Sequence, residues 1–271
     1  MQILPYKQAK KETCYMTQYL KGYELKDKAK DKLRGKYRLA ITFFLFQMLL
    51  HQTVNLMFDG ILSQMLPTID VSKGFSAVTL LPRFIVTLLS TFIISSILGI
   101  LNVGLILIYL KLSCGQTVVT SDLFYGYRED TGKALKISAV QVGANLILLR
   151  PAFFFTQCFA YTGEMKWIYI ALIALVVGYA IYLPLALCLD LAFYFMLDFP
   201  EKTTSEILKI SFRMMRGHKM RFFRLWISFF PIMLLGICTF YVGFLWIQPY
   251  MQMTYTEFYL DLMKPANSKD K

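Results

Sequence analysis

Residues 84–110 read FIVTLLSTFIISSILGILNVGLILIYL, 27 positions without a charge. The hydrocarbon of a bilayer is about 30 Å thick, and a helix needs roughly 20 apolar residues to cross it. This run meets that length with room to spare, and it ends at Lys111-Leu112. Four more apolar runs accompany it: Tyr37–Phe58, Ala134–Leu149, Trp167–Leu197 and Phe222–Ile247. Positive charge is shared unequally among the stretches between them. Residues 1–38, 111–136 and 198–224 together hold 22 basic and 10 acidic residues, which is the whole net charge of +12. Basic loops alternating with neutral ones are the positive-inside signature of a polytopic membrane protein. The reading is therefore an all-α polytopic transmembrane helical bundle of about five long helices. An odd number of crossings places the N-terminus in the cytoplasm, the C-terminus outside, and the chain in the cell membrane.

Composition supports this class. The chain is 56 % hydrophobic and 17 % charged, against about 25 % charged in a soluble domain. No stretch has room for a separate soluble domain. Three parts are expected: a basic cytoplasmic segment at 1–38, a transmembrane helical domain at 39–250 that includes the basic loop 198–224, and a short polar tail at 251–271. Eleven basic residues precede Leu39, where the first uncharged apolar stretch starts, so a cleaved secretory signal is not expected and the first helix stays as an anchor. The five cysteines are scattered without a CxxC pair, and only two histidines accompany them. Neither a metal site nor a disulfide framework is expected.

Local patterns refine the map. Leu25, Ala29 and Leu33 lie four apart among lysines, which predicts an amphipathic helix over 23–36 with Gly35 as its break. Arg150 precedes Pro151, and a residue before proline is pushed away from α geometry, so the third long helix is expected to end or kink there. The run 167–197 is too long for one simple span. Pro184 offers a kink, and 185–197 is expected to lie obliquely at the inner interface. Thr203 followed by Glu206 fits a capping box and opens a second amphipathic helix over 204–219. Its apolar side carries Ile207, Ile210 and Met214.

Candidate functional residues fall into two groups. Lys209, Arg213, Arg216, Lys219, Arg221 and Arg224 give the second amphipathic helix and the run after it a basic surface. Near an anionic leaflet each basic residue contributes about 1 kcal/mol, so anionic membrane lipid or an acidic partner protein is the expected contact. The same charges also serve as a plain topology signal. The stretch holds no nucleic-acid reading module, and no nucleic-acid partner is expected. Asp190 is the second candidate, an ionisable group inside an apolar run, where such groups are costly. Asn102, Gln141 and Asn145 are neutral polar residues within runs, and interhelical hydrogen bonding is their default role. Ser95 and Gly99 form a small-xxx-small pair suited to close helix packing. The sequence shows no GxSxG, HExxH or phosphate-cradling P-loop, so no catalytic residue, no cofactor and no enzymatic activity are expected.

The C-terminal third carries Tyr194-Phe-Met-Leu-Asp198-Phe-Pro200, Glu206-Ile-Leu-Lys-Ile-Ser211, Met215-Arg-Gly217-His-Lys219, Phe223-Arg-Leu225, Ser228-Phe229, Gly243-Phe-Leu-Trp246-Ile-Gln-Pro249-Tyr250 and Phe258-Tyr259. With Leu25-Lys26, Ala29, Leu33 and Gly35 near the start, this resembles the bacterial membrane proteins grouped as domain of unknown function 975. The stretch before Tyr194 departs from the family's usual Ile-Pro-Gly-like kink: Pro184 is followed by Leu185, and Asp190 sits where tyrosines are usual. The resemblance implies an integral membrane protein without assigned activity or catalytic residues. The leading expectation is a non-enzymatic membrane component or accessory subunit, which meets anionic lipid or a partner through its basic cytoplasmic face. The alternative is a transporter or export permease subunit in a transport assembly, with a polar path through Asp190, Asn102, Gln141 and Asn145.

Overall fold

The structure, a computed structural model, describes residues 19–65 and 77–264. Among the described residues there is no β-strand, and five helical stretches are long and apolar enough to cross a membrane: Tyr37–Leu62, Leu81–Ser113, Thr131–Thr162, Lys166–Asp198 and Lys219–Cys238. The helices in chain order are α1 (Gly22–Leu33), α2 (Tyr37–Met65), α3 (Ala77–Leu98), α4 (Leu101–Ser113), the short α5 (Tyr125–Arg128), α6 (Thr131–Thr162), α7 (Lys166–Asp198), α8 (Thr204–Met215), α9 (Lys219–Ile227), α10 (Phe230–Cys238) and α11 (Phe244–Leu262).

The spacing that predicts α1 also explains its packing. Leu25, Ala29 and Leu33 are all buried, and Gly35 takes a left-handed φ of +76° that turns the chain into α2. The buried core lies at this end of the bundle. It gathers α1, nearly all of α4, residues 187–198 of α7, Ile207 and Met215 of α8, Phe222 and Leu225 of α9, and the lower part of α11. At the other end α2, α3, α6 and α7 turn large side chains outward, among them Leu56, Ile147 and Val176. Two glycines let the helices close up. A Cβ on Gly99 would sit 1.9 Å from Ser138 Oγ, and one on Gly178 would sit 2.2 Å from the carbonyl oxygen of Leu148. The first seam joins the α3–α4 turn to α6, and the second joins α6 to α7.

Several local expectations give way. α6 does not stop at Arg150-Pro151 but runs on to Thr162. Proline forfeits one backbone bond, but the turns beyond it bury Ala152 and Cys158, and Phe154 packs on Phe84 with ring centroids 4.9 Å apart. Packing at this end outweighs the local penalty. α7 likewise continues through Pro184, and most of 187–198 is buried in the packed end, with Tyr194 and Asp198 bonded to α11. The second amphipathic helix ends at Met215, because Gly217 takes a φ of +94° before the chain restarts at Lys219. Its cap forms as expected, with the Thr203 N–H donating to Glu206 Oε2 at 3.0 Å. That bond holds Glu206 below the usual carboxylate range.

The largest correction concerns the C-terminal part. The run 222–247 is not one pass, and residues 251–262 are helical and largely buried rather than a polar tail. The chain reverses at 239–243, where a Cβ on Gly236 would come within 2.8 Å of Ile247. α11 then descends into the packed end. Ser113 Oγ donates to Glu257 Oε1 at 2.5 Å, Tyr259 donates to Asp198, and the Leu20 N–H donates to Asp261 Oδ2 at 3.1 Å. The Leu20–Asp261 bond brings the two described ends of the chain together at the packed end, because α11 returns the chain that α9 and α10 carry away.

Candidate functional site

The packed end carries the expected basic surface. Lys209, Arg213, Arg216, Lys219 and Arg224 are exposed, and none of them is in an ion pair among the described residues. The buried face of α8 is Ile207, Ser211 and Met215, with Ser211 donating to the Cys188 carbonyl. The helix is therefore bound to α7 and presents its charges outward. Arg221 is placed differently. Its guanidinium donates to the Leu20 carbonyl at 2.8 Å and pairs with the buried Asp261 carboxylate, and it lies over the Phe258 ring at 4.9 Å. Lys264 completes the Asp261 pair at 2.8 Å. Arg221 thus ties the N-terminal segment to α11. Lys26 does similar work on the other side of α1: it donates to the Ser228 carbonyl at 2.8 Å and sits 4.1 Å over Phe229. Burial, then the neighbouring Lys30, push the Lys26 ammonium below its ordinary value.

The open end holds a cleft between α2, α3 and α6. Its outer chamber, of about 640 Å³, is lined by His51, Gln52, Asn55, Asp59, Arg83, Thr87, Thr91, Arg150 and Gln157 beside Leu62, Phe84, Leu88 and Phe153. An inner chamber of about 510 Å³ shares His51, Gln52, Thr91, Ser95 and Arg150 with it and continues to Gln47, Asn102, Ser138, Gln141, Asn145, Tyr182 and Gln252. The two chambers make one polar path through an otherwise apolar bundle. Gln47 Nε2 donates to Asn102 Oδ1 at 2.6 Å. At the foot of the path Gln141 donates to Asp190 Oδ1 at 2.5 Å. Asp190 is thereby joined to the cleft through α6, while the next residues on its face turn to α11: Tyr194 shares a 3.1 Å hydrogen bond with Thr256, and Asp198 accepts from Tyr259. Asp190 and Arg150 do not pair: Asp190 is bonded to Gln141, nine residues before Arg150 and about 13 Å from it along α6.

The cleft brings Asn102, Gln141, Asn145 and, through Gln141, Asp190 together. It also recruits residues that no sequence pattern marked: Gln47, Gln52, Asn55, Arg83, Tyr182 and Gln252. Asn55 Nδ2 lies 2.9 Å from His51 Nδ1 and also donates to the His51 carbonyl at 2.8 Å. Among the described residues no group of three or more His, Cys, Asp or Glu side chains could hold a metal ion.

A family model described as a protein of unknown function, DUF975, matches residues 16–266. The chain belongs to the DUF975 family. No curated protein and no solved structure matches it. The stretches that carry the DUF975 resemblance all fall in the packed end and the 239–250 hairpin, and none of them lines the cleft. The family match itself spans the packed end and the cleft alike.

Proposed function

We propose that this DUF975 protein is a non-enzymatic membrane component whose bundle admits a polar or amphiphilic molecule into the cleft between α2, α3 and α6. The observation that carries the reading is the continuous polar path from Arg83 and Arg150 down to Gln141 and its partner Asp190, at an end of the bundle that otherwise turns apolar side chains outward. Polar side chains inside a bilayer are costly and tend to mark substrate pathways. The mixed lining, with Phe84, Leu88 and Phe153 beside amides and guanidinium groups, suits a molecule with both characters. This favours the permease-like alternative over a surface scaffold. The test is mass spectrometry of small molecules retained by the protein after purification in a mild detergent. A Thr91→Trp variant fills the cleft, and Lys209→Gln/Arg213→Gln/Arg216→Gln/Lys219→Gln neutralises the basic surface. Loss of a retained amphiphile in the first variant, with retention in the second, supports the cleft. The reverse pattern contradicts it and favours a lipid-contacting basic surface.

The second reading has its own observation, the five exposed basic side chains around α8 and α9. On that reading the packed end faces the cytoplasm and meets an anionic leaflet. Both Leu20 and Asp261 then lie inside. The hairpin of α10 and α11 re-enters the membrane rather than crossing it. Gln252 is level with Gln47 and Asn102 at the inner chamber, and from there α11 climbs only about 12 Å to Phe244, while α6 climbs about 30 Å beyond Gln141. The tip suits an apolar medium. Phe240, Tyr241 and Val242 are exposed, yet every backbone N–H from Thr239 to Trp246 finds an acceptor within the hairpin, as hydrocarbon requires.

A further inference from the structure

On the footing that the cleft is the functional site, we propose that its outer chamber binds the phosphate group of an anionic amphiphile, with Arg83 and Arg150 as the receptor. Arg83 and Arg150 are half-buried and line one chamber from two different helices, α3 and α6. Neither is in an ion pair among the described residues. Arg150 has a cation–π contact, its guanidinium carbon 5.7 Å from the Phe153 ring centroid, which holds the group without neutralising it. Asp59 lines the same chamber, so the three charged side chains leave a net positive charge. A guanidinium at membrane depth is costly unless an anion answers it, and its planar fork matches a phosphate in two-point contact. His51 adds an imidazole to the same polar wall. Beyond this polar wall Phe84 and Leu88 lead to the outward apolar face of α3, where Ile85 and Leu89 are exposed. A headgroup in the chamber would leave its chains among those side chains, which is the geometry of a lipid and not of a small water-soluble anion.

The test compares retention of phosphatidylglycerol and phosphatidylcholine by native mass spectrometry, using the full chain released from nanodiscs of equal lipid composition. Wild type is expected to retain phosphatidylglycerol about tenfold more than phosphatidylcholine. Arg83→Gln/Arg150→Gln is expected to lose that preference, while Arg83→Lys/Arg150→Lys keeps part of it and shows that the fold survives. Neutralising Lys209, Arg213, Arg216 and Lys219 leaves the preference intact. Inorganic phosphate at millimolar concentration serves as the soluble arm: failure of phosphate both to release bound phosphatidylglycerol and to raise the unfolding temperature assigns the site to the lipid, whereas release with stabilisation assigns it to a free phosphate anion and overturns the lipid. Equal retention of both lipids by wild type, or a preference that follows the basic surface, overturns the arginine assignment while the cleft still holds an amphiphile. Retention of no amphiphile at all overturns the cleft itself.

Discussion

The two ends of this bundle spend their polar residues in opposite ways. At the packed end, polar groups answer one another: Asp261 binds Arg221, Lys264 and the Leu20 N–H, Glu257 accepts from Ser113, and Asp198 accepts from Tyr259. Apolar side chains there are buried against each other. At the open end the apolar side chains face outward and the polar ones line an internal cleft. The first arrangement consumes chemical potential to fix a structure, and the second leaves it free for a ligand.

That contrast can be broken most forcefully at Asp261. Asp261→Ala leaves the partly buried Arg221 guanidinium beside Phe258 without its partner, a change whose cost is expected to fall below the roughly 3–5 kcal/mol of a fully buried pair. Thermal unfolding in detergent is expected to shift down sharply, with the segment before Gly22 becoming protease-sensitive. Removing the Arg221 charge as well, as Arg221→Met, is expected to recover part of the loss. A loss of similar size is expected from Leu33→Ala, about 3 kcal/mol, because Leu33 is fully buried in the packed end. Thr87→Ala, in the cleft, is expected to change stability by less than about 0.5 kcal/mol. Equal losses at Leu33 and Thr87 would erase the distinction between the two ends.

The hairpin sharpens the comparison in another way. Cysteine at Phe240 is expected to resist a membrane-impermeant maleimide from either side in a cysteine-free background, and labelling from the outside would show a full crossing. The smallest effect is a pH dependence of the packed end. Burial, then the Arg221 guanidinium, hold His218 below its ordinary value of 6.5, while Asp261 pulls the other way. Neutral His218 is thus favoured in the fold, and the unfolded chain binds more protons below that value. Its contribution is complete above pH 6.5 and is lost as pH falls below it. His218→Gln is expected to flatten that part of the stability profile.

Much of the scaffold was legible in the chain. Long apolar runs and the lysine and arginine bias give the spans, the four-residue spacing of Leu25, Ala29 and Leu33 gives the docking face of α1, and Thr203 with Glu206 gives the start of α8. The rest depended on partners distant in sequence. Glu257 and Asp261 made the end of the chain read as a polar tail, because Ser113, Leu20 and Arg221 are 144, 241 and 40 residues away. Pro151 reads locally as a stop, and only the packing of Phe154 and Cys158 shows why the helix continues. Of the cleft, Asp190, Asn102, Gln141 and Asn145 were visible as isolated polar residues. Their convergence with Gln47, Arg83 and Gln252 was not, since periodicity assigns a residue to a face of its own helix but not to the helix opposite.

Water accessibility of the cleft tests the central claim most directly. Single cysteines at Thr87, Thr91 and Asn145, with Ile147 and Val176 as outward-facing controls, are to be reacted in proteoliposomes with a small charged methanethiosulfonate. The account predicts fast reaction at the three lining positions, and protection of the controls by the bilayer. Lining positions as inert as Ile147 and Val176 would contradict it.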